Sequence, residues 1–276
     1  MISIVILTFN EEVNLPGCLE NVAWCDDVTV FDSFSTDRTV EISRAAGARV
    51  VQHPFENYGA QREAARAAVD YRHPWLLFLD ADERVDDALK AELMALPETP
   101  SAFAAYRMRR KDHFMGKWIR RSTLYPSWFT RLLWRERARY EPRAVHEYPT
   151  VDGEMGELRG HLIHHNFNKG LEDWLAKHNR YSSLEAKEDL RSLETEPVPW
   201  RKLLAHDPVA RRRAIKTLSF RLPCRPALRF LYMYVLRGGF LDGPTGFAYC
   251  RMLYFYELMI VLKMEETRRR DRGLPV

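Results

Sequence analysis

The apolar run Trp75-Leu76-Leu77-Phe78-Leu79, followed at once by Asp80-Ala81-Asp82, constrains this chain more than any other segment. Five consecutive apolar residues read as a fully buried strand. Two carboxylates one residue apart leave an extended chain on the same side. In open α/β sheets, ligands bind beyond the carboxyl ends of the strands. A hard cation that bridges phosphates takes one or two protein carboxylates and completes its shell with phosphate and water oxygens. The spacing therefore suits a divalent-metal diphosphate site. The same residues also fit a polar turn into a helix near Asp86–Leu96, with Asp82 or Asp86 as its N-cap.

The residues around this run repeat a βα pattern. Ile2–Leu7 reads as a strand, Asn14–Val22 as a helix and Asp27–Phe31 as a strand. Thr39–Ala46 reads as a helix stopped by Gly47, Arg49–Gln52 as a short strand and Gly59–Tyr71 as an Ala- and Arg-rich helix. Repeated βα units predict a mostly parallel sheet with helices on both faces. Beyond residue 100 the alternation of apolar and charged residues, with Arg107, Arg109, Trp118, Trp128, Leu132 and Leu133, predicts a strand-rich, partly open region. Asp152-Gly153 signals a hairpin turn. Leu171–Leu193 reads as a helix, and Pro197, Pro199 and Pro208 mark a break. These features divide the 276 residues into a domain over 1–195 and a basic helical extension over 196–276. In that extension Ala227–Met264 is apolar and aromatic, and Gly238-Gly239 and Gly243-Pro244 split it into two helices. Arg251, Glu257 and Lys263 interrupt it, and a spanning helix needs roughly 20 predominantly apolar residues. A transmembrane segment is therefore rejected. An amphipathic pair on a membrane surface, or a hairpin packed on the core or on a second subunit as a homodimer, fits the pattern.

The net charge of +4 hides an uneven distribution. Residues 107–143 hold twelve Lys/Arg against three Asp/Glu, and residues 201–229 hold nine against one. Such stretches point to an anionic partner. Cys18, Cys25, Cys224 and Cys250 show no metal-ligand spacing, which fits a reduced, cytoplasmic compartment. The opening Met1–Thr8 lacks the basic lead of a signal peptide and reads as a first buried strand.

Further motifs flank the strand ends. Thr8-Phe9-Asn10-Glu11-Glu12 follows the first strand, where its polar groups can meet a base or ribose or cap the next helix. Asp32 ends the second strand as Asp80 ends a later one, and a carboxylate there commonly accepts from a ribose hydroxyl or base N–H. Ser33, Ser35 and Asp37 read as turn and capping chemistry. No Gly-rich phosphate loop follows the first strand, which argues against a dinucleotide-binding or P-loop protein.

Together, Thr8-Phe9-Asn10-Glu11, Asp32-Ser33 with Ser35-Thr36-Asp37-Arg38-Thr39, Asn57-Tyr58-Gly59-Ala60-Gln61-Arg62 and Asp80-Ala81-Asp82-Glu83 resemble family 2 glycosyltransferases of the GT-A fold. The resemblance covers roughly residues 1–135. Val145-His146-Glu147, Trp174 with Lys177, Asn179, Arg180 and Tyr181, and Gly238-Gly239-Phe240-Leu241-Asp242-Gly243 further resemble bacterial lipopolysaccharide core glycosyltransferases, often described as β-glucosyltransferases. The resemblance implies an inverting hexosyltransferase with a nucleotide-sugar donor such as UDP-glucose and a lipopolysaccharide-core or other lipid-linked acceptor. Thr8, Asn10, Glu11, Asp32 and Arg62 would then lie at the nucleoside end. Asp80, Ala81 and Asp82 would face the ribose and a Mg²⁺ or Mn²⁺ ion, with Asp82 the more direct ligand.

An inverting reaction also needs a base for the acceptor hydroxyl. Glu147 is favoured, since His146-Glu147 follows the sheet-like region; Asp173 in Glu172-Asp173 is the runner-up, because acidic residues that open a helix often only complement its dipole. An ion pair with Arg143 is the competing role for Glu147. Among His161, His164 and His165, either His164 or His165 could complete a metal shell, since neighbours on an extended segment face opposite sides. The basic stretch with Trp118, Tyr125, Trp128 and Trp134 suits an anionic saccharide acceptor better than nucleic acid, whose backbone the acidic donor site would repel. Rival readings are a polyprenyl-phosphate glycosyltransferase, a nucleotidyltransferase and a non-catalytic nucleotide-sugar-binding protein. The expected location is the cytoplasm, peripheral at the inner face of the cytoplasmic membrane.

Overall fold

The computed structural model describes residues 1–99, 101–140, 149–195, 207, 210, 211, 214, 218, 222 and 224–276. Its contacts form two compact units, residues 1–118 with 124–169 and residues 119–123 with 170–276.

The first unit runs β1 (Ser3–Thr8), α1 (Leu15–Asn21), β2 (Val28–Asp32), α2 (Thr39–Ala45), β3 (Arg49–Gln52), α3 (Tyr58–Ala67), β4 (Trp75–Asp80), β5 (Glu83–Val85) and α4 (Asp87–Met94). It continues with β6 (Phe103–Phe114), β7 (Lys117–Trp118), β8 (Ser127–Trp134), β9 (Ala138–Tyr140), β10 (Pro149–Val151) and β11 (Glu154–His164). The main sheet has the order β3-β2-β1-β4-β8-β6-β11-β5, with β7 beside β6. The first four strands are parallel. β8 runs antiparallel to both β4 and β6, whereas β11 returns parallel to β6.

Alternation along β1 and β4 sends side chains to two cores, as a pleated strand buried on both faces requires. Ile4, Ile6, Leu77 and Leu79 join Leu15 and Leu19 of α1 and Leu89 and Leu93 of α4. Val5, Leu76 and Phe78 join Ala65 of α3 and Tyr140 of β9 on the other face. The predicted α/β sheet with helices on both faces is present.

Several boundaries differ from expectation. α3 stops at Ala67 rather than Tyr71. Tyr71 folds back, buries its ring and donates its hydroxyl to the Ala65 carbonyl at 2.5 Å, satisfying one of the acceptors a helix end leaves over. Asp86, not Asp82, caps α4, accepting from the Leu89 N–H at 2.9 Å. Asp152-Gly153 is a turn, but it does not close a hairpin. β10 pairs with β9, and β11 leaves to pair with β6 and β5.

The second unit contains α5 (Gly170–Thr195), α6 (Arg225–Leu231), a π-helical turn Tyr232–Leu236, a 3₁₀ turn Gly239–Asp242 and α7 (Gly243–Asp271). Ala186 of α5 packs with Ile260 and Met264 of α7. Buried Arg225 pairs with Asp189 of α5 and Glu257 of α7, both at 2.6 Å. The Lys263 ammonium donates to the Asn179 carbonyl at 2.5 Å. α5 therefore packs with the C-terminal helices, within the unit formed by residues 119–123 and 170–276. Among the described residues no helix is long and apolar enough to cross a membrane.

Candidate active site

Parallel register aligns the carboxyl ends of three strands. Thr8 of β1 lies opposite Asp32 of β2, and Leu7 lies opposite Asp80 of β4. Asp32 is fully buried. Its oxygens accept from the Thr8 hydroxyl at 2.9 Å, the Ser35 N–H at 2.9 Å, the Gln52 amide at 3.1 Å and the Ser35 hydroxyl. Asn10 adopts a left-handed φ of 54°, which Asn tolerates better than most residues. Its side-chain oxygen accepts from the Thr36 N–H at 2.8 Å, while its own N–H donates to the Ser35 hydroxyl at 2.8 Å. Glu11 is partly buried and accepts from Lys169 at 2.5 Å and Asn14 at 2.8 Å. Burial pushes the Glu11 pKa up, against the pull of Lys169 and Asn14. Asp32, Asn10 and Glu11 thus knit the two loops together. Phe9 and Phe34, beyond the ends of β1 and β2, are more than half exposed. Their rings are the flat apolar surfaces at this edge on which a base could stack.

The β4 end is built differently. The two Asp80 oxygens accept from Arg62 at 3.0 Å and Arg131 at 2.5 Å. Arg131 also reaches fully buried Glu83 at 3.2 Å, and Arg110 approaches the same Glu83 oxygen at 3.6 Å. The second Glu83 oxygen accepts the Asp80 N–H at 3.1 Å. Desolvation resists ionisation of Asp80, but Arg131 and then Arg62 overcome it and hold its pKa well below the usual carboxylate range. Ala81 is buried, and Asp82 follows with its carboxylate 3.3 Å from Nε2 of His164. The Asp82 carbonyl accepts the His165 N–H at 2.8 Å, extending a ladder in which Glu83 faces His164. The other His164 nitrogen, Nδ1, lies 2.7 Å from Asp112, which Arg110 also meets at 3.0 Å. Burial and Arg110 oppose charge on His164, yet Asp82 and Asp112 raise its pKa to about 9. His164 is thus set between two carboxylates. Burial lowers the pKa of His165, whose ring lies beside His113 with centroids 5.3 Å apart. His161 lies 3.1 Å from the Tyr125 hydroxyl and 3.3 Å from Asp86.

These residues fit a hard divalent cation in one form only. Among the described residues there is no cluster of three or more His, Cys, Asp or Glu able to hold a metal alone. Both oxygens of Asp80 are engaged by arginines, whereas the Asp82 carboxylate lies beside His164 at 3.3 Å and could serve as a single protein ligand. An ion held by one carboxylate and completed by diphosphate and water oxygens matches the habit of Mg²⁺ and Mn²⁺ at phosphate sites.

Sequence reasoning named Arg62, Asp80, Asp82 and His164 but missed Glu83, Arg110, Asp112 and Arg131 as parts of one network. Their signal was weak: Arg110 and Asp112 share a strand face at i and i+2, and Arg131 hides in a basic stretch. Several cations of that stretch are paired with carboxylates of the same unit. Arg107 pairs with Glu157, Lys111 lies 3.3 Å from Asp86, and Arg135 lies 3.4 Å from Asp70. Val145, His146 and Glu147 lie outside the described residues, as does Arg143. Asp173 is exposed in the first turn of α5, in the second unit. In that unit buried Trp174 stacks on His178 with centroids 3.6 Å apart, and Asn179 holds Lys263, so those motif residues serve helix packing.

The sequence matches the family model "Glycosyl transferase family 2" over residues 3–160. Among curated proteins, it is 26% identical over 261 residues to the lipopolysaccharide core biosynthesis glycosyltransferase LpsC of Rhizobium meliloti (strain 1021), covering 90% of this chain and 88% of LpsC. It is 24% identical over 285 residues to the uncharacterized glycosyltransferase RT0209 of Rickettsia typhi, covering 99% of this chain and 89% of that protein. Among solved structures, glucosyl-3-phosphoglycerate synthase from Mycobacterium tuberculosis, in complex with Mn²⁺, UDP-glucose and phosphoglyceric acid, superposes with a TM-score of 0.33 at 22% identity, covering 40% of this chain and 44% of that one. The family match takes in more than half of the chain, including the strand ends that carry Thr8, Asp32, Asp80 and Asp82, and on that ground the chain belongs to glycosyltransferase family 2.

Proposed function

We propose that this glycosyltransferase moves a hexose, with inversion, from a nucleoside diphosphate sugar to a lipopolysaccharide-core or other lipid-linked saccharide at the inner face of the cytoplasmic membrane. UDP-glucose is the donor this reading favours. The observation that carries it is the arrangement at the β4 end, where Arg62 and Arg131 hold Asp80 and leave Asp82 as the carboxylate beside His164. The match along nearly the whole length of LpsC supports the acceptor class.

In this reading Thr8, Asn10, Glu11, Asp32 and Arg62 shape the nucleoside end, the first four through the loops they knit and Arg62 through Asp80. Exposed Phe9 offers a face for the base. Asp82, with His164 beside it, would hold Mg²⁺ or Mn²⁺, which neutralises charge gathering on the departing diphosphate. The acceptor hydroxyl attacks the anomeric carbon as the bond to the diphosphate breaks. Glu147 takes the hydroxyl proton, with Asp173 as the alternative base.

The test is UDP binding to the full chain by calorimetry, with and without Mn²⁺, followed by transfer assays. Asp82→Ala should weaken Mn²⁺-dependent UDP binding by about 100-fold or more, beyond what loss of an outer-shell partner typically costs. Unchanged affinity would remove the donor site from this strand end. Glu147→Gln should bind UDP normally and lose transfer; near-normal turnover would shift the base to Asp173.

A further inference from the structure

The segment Gly238–Gly243 lies in the second unit and is closely constrained. Gly238 and Gly243 adopt left-handed φ values of 75° and 71°, which a side chain would strain. A Cβ on Gly239 would lie 2.7 Å from the Met233 carbonyl, and one on Gly246 would strike the Gly239 carbonyl. Buried Asp242 accepts three bonds on one oxygen, from the Arg121 N–H at 2.8 Å, the Ser122 N–H at 2.7 Å and the Ser122 hydroxyl at 2.8 Å. Arg237 donates to the Thr123 carbonyl at 3.2 Å. The turn is thereby fixed to residues 119–123, which belong to the same unit.

The side chains this framework presents are apolar and face solvent. Leu236 is 74% exposed, Leu241 63% and Phe240 50%, and Leu231, Tyr232 and Val235 continue the patch onto the α6 side. Folded proteins seldom leave so many large apolar side chains together in water without a partner. The clamp on Asp242 also sets Arg120 and Arg121, both exposed, beside this tip. Apolar side chains at the end of a helical hairpin, edged by arginines, match a surface that enters the headgroup boundary of a bilayer while its cations meet lipid phosphates.

We propose that the tip formed by residues 231–241, with Arg120 and Arg121, docks on an anionic lipid bilayer. Self-association through the same tip is the weaker fit, because two copies would bring their arginine pairs around one apolar seam, where like charges repel. The inference deepens the lipid-borne acceptor of the proposed function, but it stands on the second unit alone and is read without donor or transfer.

Sedimentation of the full chain with vesicles tests it. Wild type should bind phosphatidylglycerol-containing vesicles, bind phosphatidylcholine vesicles at least about tenfold more weakly, and lose the difference as salt rises. Leu236→Ser/Phe240→Ser/Leu241→Ser should weaken binding by about tenfold or more, with its thermal midpoint and Mn²⁺-dependent UDP affinity unchanged, since the three side chains are exposed. Arg120→Ala/Arg121→Ala should remove most of the preference for anionic vesicles. Leu184→Ser, at an exposed position of α5, should bind like wild type. Undiminished vesicle binding by the triple variant would overturn the proposal. So would a wild type that ignores vesicles, or that forms a dimer the triple variant splits. Failure of UDP binding would instead count against the donor-site reading and leave the vesicle result standing.

Discussion

The ends of β2 and β4 both present a carboxylate beside β1, and they are held by opposite chemistry. Asp32 takes its hydrogen bonds from hydroxyls, an amide and a backbone N–H, all neutral donors. Asp80 takes its bonds from two arginines, and its neighbours Asp82, Glu83 and Asp112 are met by Arg110, Arg131 and His164. Neutral donors satisfy lone pairs but leave the negative charge in place; guanidiniums cancel it. Around β4 the carboxylates Asp80, Asp82, Glu83 and Asp112 meet Arg62, Arg110, Arg131 and His164. The β2 end is a loop fastener, and the β4 end is an electrostatic frame.

The largest expected effect tests the frame. Arg131→Met removes the cation shared by Asp80 and Glu83, the second of which is fully buried. Stripping one partner from a buried charge network costs about 3–5 kcal/mol, because the charges left behind are uncompensated. Urea unfolding should show that loss at an unchanged m-value, and adding Asp80→Asn should restore part of it. A loss under about 1 kcal/mol would mean that water already screens the cluster as at a surface pair, and the contrast with Asp32 would disappear.

Asp32→Asn probes the other side of the comparison with a smaller effect. The substitution keeps the shape but turns one acceptor oxygen into a donor, facing donors from Thr8, Ser35 and Gln52. The expected cost is about 1–3 kcal/mol by thermal unfolding, the price of a buried donor left without an acceptor. Because no arginine is involved, the loss should be nearly the same in low and high salt. A marked salt dependence would show that charge also governs this end.

The two ends differ as well in how much of each was legible beforehand. The partners of Asp32 come from the motifs that flank it, Thr8 on the preceding strand and Ser35 three residues on, so reading the turn nearly reads the contacts. Asp80 takes Arg62 from α3, but its other partner, Arg131, lies on β8 and Asp82 meets His164 of β11, and the placement of those two strands depends on antiparallel and crossover pairings that no local pattern specifies. That is why the βα half of the sheet and Asp86–Leu96 as a helix were readable, while Arg131, Arg110 and Asp112 were absorbed into an apparent basic face. The turn Asp152-Gly153 failed as a hairpin signal for the same reason. Its residues specify a reversal, and the strand order decides which neighbours the flanking strands meet. α5 was legible as a helix, but its partner was not, since Asp189 finds Arg225 only through tertiary packing.

Asp86 carries both chemistries at once and gives the smallest and most discriminating test. One oxygen accepts the Leu89 and His161 N–H groups at 2.9 and 3.0 Å, and the other lies 3.3 Å from the Lys111 ammonium. Burial works against its ionisation, but the two backbone donors and Lys111 prevail and lower its pKa. A lowered folded pKa means that the charge contributes stability fully above the unfolded value of about 3.9, and that this contribution is lost as pH falls through and below it. Asn is as good an N-cap as Asp, so Asp86→Asn keeps the cap and removes the charge, setting an amide in place of the carboxylate oxygen near Lys111 and His161. The variant should be about 0.5–1 kcal/mol less stable than wild type near neutral pH, within the range of partly exposed ion pairs. The gap should narrow steadily as wild type is acidified below about pH 4. A gap that stays constant with pH would show that the neutral donors alone hold Asp86, placing it with Asp32 rather than with the arginine-framed carboxylates.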